Sequence, residues 1–314
     1  MRYSEGFGIN SSKILLGTAY FGETISEEES FAIMDTYVEH GGNHIDTARL
    51  YAAGEAERVI GRWFRSRNPK GIHLSTKGGF PNVATPHIAR LSEQEIRFDL
   101  EESLKALERD HIDFYWLHRD DEARDFREII EYMNRFVKEG KIKRFGASNW
   151  RLNRVNEANQ YAASHGLQGF EAVQVRFSPA VIAPNGNADR TLVDMDKPSF
   201  DYYGEQKMPV AAYASQAKGF FSKMVLTGEA GLSPKSKERY LCEENLKRLE
   251  SIKALSEKYA CSVAAAVCGA LCSIDAPDVF PIIGGSRVAQ ITDSMSGADI
   301  VMEKSEVDAL FASF

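Results

Sequence analysis

Residues 17–22 read Gly17-Thr18-Ala19-Tyr20-Phe21-Gly22 and follow a short apolar run, Ile14 to Gly17. This segment separates two architectures. An open, doubly wound sheet that holds a dinucleotide places G-x-G-x-x-G in the turn after its first strand. The segment does not match that pattern. Working outward, strand-like and helix-like stretches alternate with little interruption. Strands are predicted at Ile14 to Gly17, His44 to Ala48, Ile72 to Lys77, Ile112 to His118, Arg144 to Ser148, Ala172 to Phe177, Val210 to Tyr213 and Val279 to Ile283.

Helices fill the gaps. Ser26 precedes an acidic first turn, Glu27-Glu28-Glu29, and Gly41-Gly42 stop the helix after His40. Ala56, Val59, Ile60, Trp63 and Phe64 form one apolar stripe at helical spacing. Ser92 and Glu95 form a capping box for a helix to about Leu107. Further helices are expected from Phe126 to Val137, Arg151 to His165, Leu241 to Tyr259, Ser262 to Leu271, Val288 to Met295 and Ser305 to Phe311. Ser178 to Met208, with Pro179, Pro184, Gly186, Asn187, Pro198 and Gly204, reads as a long loop with a short helix near Phe200 to Gln206. Ala217 to Lys237 reads as irregular. Eight strands alternating with helices and no linker predict a (β/α)8 TIM barrel, one domain over residues 1–314. Its long loop follows the sixth strand, and extra helices lie near the C-terminus.

Composition narrows the function classes. The chain is 43% hydrophobic and 26% charged, ordinary for a globular protein with a sizeable core. A net charge of −7 with only short basic clusters, such as Lys141 to Arg144, argues against nucleic acid. The N-terminus has no apolar core of the secretory kind, and Cys261 to Ile274 is too short to span a bilayer, so the expectation is a cytoplasmic protein with no membrane role. Cys242, Cys261, Cys268 and Cys272 lack CxxC spacing or a histidine cluster and read as reduced cysteines, with no metal site.

The chemistry is expected at strand ends. His44-Ile45-Asp46-Thr47-Ala48-Arg49-Leu50-Tyr51 puts an acid at the end of one strand and a phenol just beyond it. Leu74-Ser75-Thr76-Lys77 ends another strand in an amine, and Phe114-Tyr115-Trp116-Leu117-His118 ends a third in an imidazole. In a barrel these ends share one mouth. A tyrosine, ordinarily titrating near 10, becomes a usable proton donor when an ammonium stands beside it. Lys77 supplies that charge and Asp46 holds Lys77. His118 donates to a carbonyl oxygen, and Tyr51 acts as general acid. Such a set polarises a carbonyl but has no reducing power, so a hydride donor is needed, of which nicotinamide is the common one.

Here the sequence resembles the aldo-keto reductases. Asp46 to Tyr51, with Gly54 and Glu57, is similar to their first signature. Ser103-Leu104, Leu107, Ile112-Asp113 and Leu117-His118 are similar to the second. Gly146-Ala147-Ser148-Asn149, Ala172-Val173-Gln174, Ala212-Tyr213 and Ile282 to Arg287 follow in the family's order. The resemblance implies a catalytic set of Asp46, Tyr51, Lys77 and His118. It implies that Ser148, Asn149 and Gln174 bind the nicotinamide carboxamide, that Tyr213 stacks on the ring, and that Gly17, Thr18 and Asp46 line the cleft. Ser215 falls in the pyrophosphate segment, where Ala214-Ser215-Gln216 departs from the family's Ser-Pro-Leu. Gly284, Ser286, Arg287 and Gln290 would meet the adenosine phosphate, although many members carry a lysine where Gly284 stands. NADP is therefore the implied cofactor, NADPH ahead of NADH, with preference resting on Arg287.

Taken singly, each residue has a plainer reading. Asp46 can be a helix cap, Lys77 an ordinary strand-end lysine, His118 a solvated loop residue, Tyr213 simple core and Asn149 a cap. Their joint occurrence in order favours chemistry. A Schiff-base lyase would use Lys77 as nucleophile. A metal hydrolase would need an HxH or HExxH that is absent. A non-catalytic, cofactor-binding regulatory subunit of the same fold is the principal alternative. The expected substrate is a small carbonyl compound. Arg119, Asp120 and Asp121 hint that it is polar and sugar-like. A monomer or weak homo-oligomer is expected.

Overall fold

Strands buried on both faces read as continuous apolar runs, and Ile112–Leu117, buried at every position, is of that kind. In the computed structural model, which describes residues 1–82, 84–184, 186 and 189–312, such strands close into a parallel barrel. In chain order they are β3 (Leu15–Gly17), β4 (His44–Asp46), β5 (His73–Gly78), β6 (Ile112–Leu117), β7 (Ile142–Ser148), β8 (Val173–Arg176), β9 (Val210–Tyr213) and β10 (Val279–Ile283). β10 pairs back onto β3, with Ile282 opposite Leu15, which completes the ring. The expected eight-stranded barrel is thus present. Asn187, counted in the long loop, lies outside the described residues.

Two residues form each strand of an antiparallel hairpin ahead of the barrel, β1 (Tyr3–Ser4) and β2 (Ser11–Ser12). This hairpin was not anticipated. It carries Phe7 into the strand-start end of the barrel, where its ring centre lies 5.4 Å from Phe114, 6.1 Å from Trp116, 4.7 Å from Phe280 and 5.2 Å from His44. Gly6 must be glycine there, because a Cβ would stand 2.1 Å from the Phe280 ring. Phe7, Leu15, Phe114, Trp116, Ala172, Ala211 and Phe280 form an apolar plug inside the barrel.

A second, larger core lies between barrel and helices. The helices are α1 (Glu27–Glu39), α2 (Glu55–Arg67), α3 (Glu93–Leu107), α4 (Phe126–Lys138), α5 (Leu152–Ser164), α6 (Lys197–Glu205), α7 (Phe220–Thr227), α8 (Pro234–Tyr240), α9 (Glu243–Lys258), α10 (Val263–Cys272), α11 (Val288–Met295) and α12 (Lys304–Leu310). The α2 stripe is buried as its spacing predicts, and Ser92 with Glu95 forms the expected capping box on α3. Two corrections concern helices after β8. The stretch read as irregular contains α7, which buries Phe220 and Phe221, and α8, which Ser233 caps with Pro234 in the first turn. The helix in the long loop starts at Lys197, before Phe200, because Asp196 caps it and Pro198 is tolerated in a first turn. Among the described residues, no single helix is long and apolar enough to cross a membrane.

Candidate active site

Strand alternation does most of the placing. Residues two apart on a strand share a face, so His44 and Asp46 on β4 point into the barrel with Ser75 and Lys77 on β5. The Lys77 ammonium donates to Asp46 Oδ2 at 2.6 Å and to the Thr47 carbonyl oxygen at 2.6 Å. It also reaches the Tyr51 hydroxyl at 3.4 Å. Lys77 and Asp46 are each 1% exposed. Burial works against the ammonium, but Asp46 and Tyr51 outweigh it and hold Lys77 above the usual lysine value.

Asp46 Oδ1 accepts from Ser75 Oγ at 2.9 Å and from Gln174 Nε2 at 3.1 Å. Ser75 Oγ lies 3.2 Å from His44 Nε2, and His44 Nδ1 lies 2.9 Å from Ser11 Oγ. A polar chain therefore runs from Tyr51 through Lys77, Asp46, Ser75 and His44 down to β2. Burial, reinforced by His73, pushes His44 down to about 3, so it is a neutral member of that chain.

Tyr51 opens a turn in which Ala52, Ala53 and Gly54 take successive φ values of 49°, 53° and 87°. Left-handed backbone at the two alanines costs roughly 1–2 kcal/mol per residue, the kind of strain found where a fold fixes a functional group. His118 stands on the other side of the phenol, ring centres 6.1 Å apart and nearly perpendicular. Phe80 packs on His118 at 5.0 Å. Burial, then the charges of Lys77 and Arg119, push His118 well below the usual imidazole value. It is a neutral ring whose buried Nδ1 has no partner among the described residues.

Ser148 and Gln174 face each other across β7 and β8. Gln174 gives its amide N–H to Asp46, which leaves its side-chain oxygen as an acceptor. Ser148 Oγ accepts from Asn149 Nδ2 at 3.1 Å and keeps its own O–H to donate. One donor and one acceptor side by side match a primary amide. Asn149, with φ 59°, is engaged elsewhere. Its Oδ1 accepts from the Tyr213 hydroxyl at 2.7 Å and the Val193 N–H at 3.1 Å, and its Nδ2 lies 3.4 Å from the His118 carbonyl oxygen. Asn149 thus ties β7 to β9 and to the long loop.

The remaining expected residues divide into two groups. Thr18 Oγ1 donates to the Asp46 carbonyl oxygen at 3.1 Å, and Ser215 Oγ donates to the Ile282 carbonyl oxygen at 2.7 Å, so both hydroxyls are spent on backbone. Gly17 sits where a Cβ would meet Ile282 at 2.8 Å. The second group is at the end of β10. Gly284, Ser286, Arg287 and Gln290 are exposed or nearly so. Gln290 Oε1 accepts from the Ser286 N–H at 2.8 Å. The Val288 N–H donates to Glu29 Oε1 on α1 at 3.2 Å. Two side chains therefore already serve the N-terminus of α11, while Arg287 is free of ion pairs among the described residues.

Sequence reading missed Ser75, Phe80 and Glu29. Ser75 was findable, two residues before Lys77 on the same face. Phe80 and Glu29 carried no periodic signal. The acids expected beside the substrate are engaged in structure. Asp120 pairs with Arg154 at 3.0 Å, and Asp121 accepts from the Ala123 N–H at 3.2 Å. Arg119 instead lies over the Phe80 ring at 4.8 Å. Among the described residues, no group of three or more His, Cys, Asp or Glu is placed to hold a metal.

An eight-stranded barrel with these residues at its strand ends can be compared with known proteins. The profile of the aldo/keto reductase family matches residues 13–312, and the chain belongs to that family. It is 29% identical to norsolorinic acid reductase B of Dothistroma septosporum, over 98% of this chain and 79% of that one. It is 25% identical to an aryl-alcohol dehydrogenase of Pestalotiopsis microspora, over 91% of this chain and 72% of the other. It is 30% identical to YrpG, an uncharacterized oxidoreductase of Bacillus subtilis, over 95% of this chain and 90% of that protein.

Proposed function

We propose that the chain, as one barrel domain over residues 1–314, reduces an aldehyde or ketone to the alcohol, with a nicotinamide cofactor and with Tyr51 as general acid. The observation that carries this reading is the buried Lys77–Asp46 pair directed at the Tyr51 hydroxyl. When bound, the nicotinamide supplies the hydride. Ser148 and Gln174 would hold its carboxamide, one donating and one accepting, and Tyr213, pinned by Asn149, offers a ring face.

The chain's own residues handle the proton. The substrate carbonyl oxygen sits between Tyr51 and His118. The neutral imidazole donates one hydrogen bond to it and fixes its direction. As charge grows on that oxygen, Tyr51 passes its proton across. The Lys77 ammonium, 3.4 Å away, stabilises the phenolate left behind. Asp46 keeps Lys77 charged and aimed, while Ser75 and Gln174 keep Asp46 from turning. NADPH is the favoured form, through Arg287, with NADH as an alternative.

The test is reduction of a panel of aldehydes, ketones and sugars with both cofactors, by wild type and Tyr51→Phe. The variant should lose nearly all turnover while cofactor affinity stays within a few-fold. Unchanged turnover would remove Tyr51 from the reaction.

A further inference from the structure

Three arginines other than Arg119, each with little exposure, close onto carboxylates. Arg90 reaches Asp99 at 3.0 Å, Arg154 reaches Asp120 at 3.0 Å, and Arg176 holds Asp194 through two nitrogens. Arg119 does not. It is 9% exposed, yet its nearest carboxylate is Asp189, 3.8 Å from Nη2 and itself half exposed. Nη1 donates to the His118 carbonyl oxygen at 2.9 Å, and Nε donates to Thr191 Oγ1 at 3.1 Å. A guanidinium has five N–H donors, so most of them have no partner among the described residues.

The position matters as much as the deficit. The guanidinium lies over the Phe80 ring at 4.8 Å, and Phe80 lies 5.0 Å from His118. The cation is thus one aromatic ring away from the imidazole that flanks Tyr51. Burial presses Arg119 below the usual guanidinium value, against the pull of Tyr213, Asp189 and Tyr51. A guanidinium nonetheless stays protonated in proteins. A buried charge without a close counter-charge is costly until something anionic meets it. A carboxylate offers the planar, two-oxygen partner that a guanidinium matches best.

We propose that Arg119 receives a carboxylate of the substrate, so that the preferred substrates are aromatic aldehydes or ketones that carry a carboxylate on the ring. The inference rests on the carbonyl-reductase reading for the position of the reacting group. The aromatic part follows from the rings of Tyr51 and Phe80, which stand 6.1 Å and 5.0 Å from His118. Asp189 is held by Thr191 through Oδ1, at 2.9 Å and 2.6 Å, and only its Oδ2 looks towards Arg119, at 3.8 Å, which leaves room for a closer carboxylate.

The experiment compares para-carboxybenzaldehyde with its neutral methyl ester. Wild type should favour the carboxylate by about tenfold to a hundredfold in kcat/KM, the range that a charged hydrogen bond supports. Arg119→Met should collapse that preference to near unity, and Arg119→Lys should keep part of it. Calorimetry with terephthalate, which needs no turnover, should show binding to wild type and its loss in Arg119→Met. Equal handling of acid and ester by wild type, or terephthalate binding that survives Arg119→Met, overturns the proposal. If no aldehyde is reduced but terephthalate binding still depends on Arg119, the reductase reading fails and the anion site stands.

Discussion

Lys77 and Asp46 meet at 2.6 Å in a place from which solvent is almost wholly excluded. Among the described residues, neither charge pairs with any other of opposite sign. Each therefore depends on the other for stability as well as for any chemistry at Tyr51. Removing one partner from such a pair costs about 3–5 kcal/mol, because the other charge is left buried and uncompensated. Lys77→Met and Asp46→Leu should each lower the free energy of unfolding by that order, read from urea titrations. The double variant should recover much of the stability while remaining inactive. A double variant as unstable as the sum of the two would show that the ion pair is not what couples them.

The pH dependence of stability follows from His118 and His44. Both are held below the imidazole value of the unfolded chain, His44 at about 3. Between those values the unfolded state binds protons that the native state refuses. Stability is therefore complete above about pH 6.5 and is lost as pH falls, by up to about 1.4 kcal/mol per pH unit for each group. Denaturant titrations at a series of pH values should show this slope. His44→Asn should flatten it, and a slope unaltered in that variant would remove His44 from the account.

On the proposed NADPH reading, Arg287 would attract a phosphate at the start of α11, and Glu29, which accepts from the Val288 N–H there, would repel it. Arg287→Ala should weaken NADPH by about tenfold or more, the effect of losing a charged hydrogen bond, with NADH changed little. Glu29→Gln takes a negative charge off the Val288 N–H and should tighten NADPH selectively. Fluorescence titration with both cofactors measures this. Equal shifts for NADPH and NADH would place neither residue at the phosphate.

The plug beneath the site is a stability element. Phe7→Ala should cost about 3–5 kcal/mol, as large-to-small changes at buried aromatic positions do. Thermal or urea unfolding checks this, and a loss under about 1 kcal/mol would mean that the rings of Phe114, Trp116 and Phe280 close over the gap.

Much of this architecture was legible before any coordinates, and the reason is local. β9 and β10 agree with the sequence reading to the residue, because buried parallel strands are bounded apolar runs. The capping box at Ser92 and Glu95 is written in two residues. That Asp46, Tyr51, Lys77 and His118 would stand close together was legible, because barrel topology brings strand ends together whatever their separation along the chain. Other features depend on tertiary contacts that leave no period. The hairpin of β1 and β2 has strands too short to alternate. α7 lies between Gly219 and Gly228, and α8 follows Gly231, glycines that read as breaks. The spent hydroxyls of Thr18 and Ser215 and the turned amide of Asn149 depend on neighbours far along the chain. Asp120 looked like substrate chemistry until Arg154 claimed it.

The ring of Phe7, wedged among Phe114, Trp116 and Phe280, stoppers the barrel at its base. On the proposed reductase reading, cofactor and substrate would therefore both reach Tyr51 from the strand-end face, because the barrel cannot be threaded through its base.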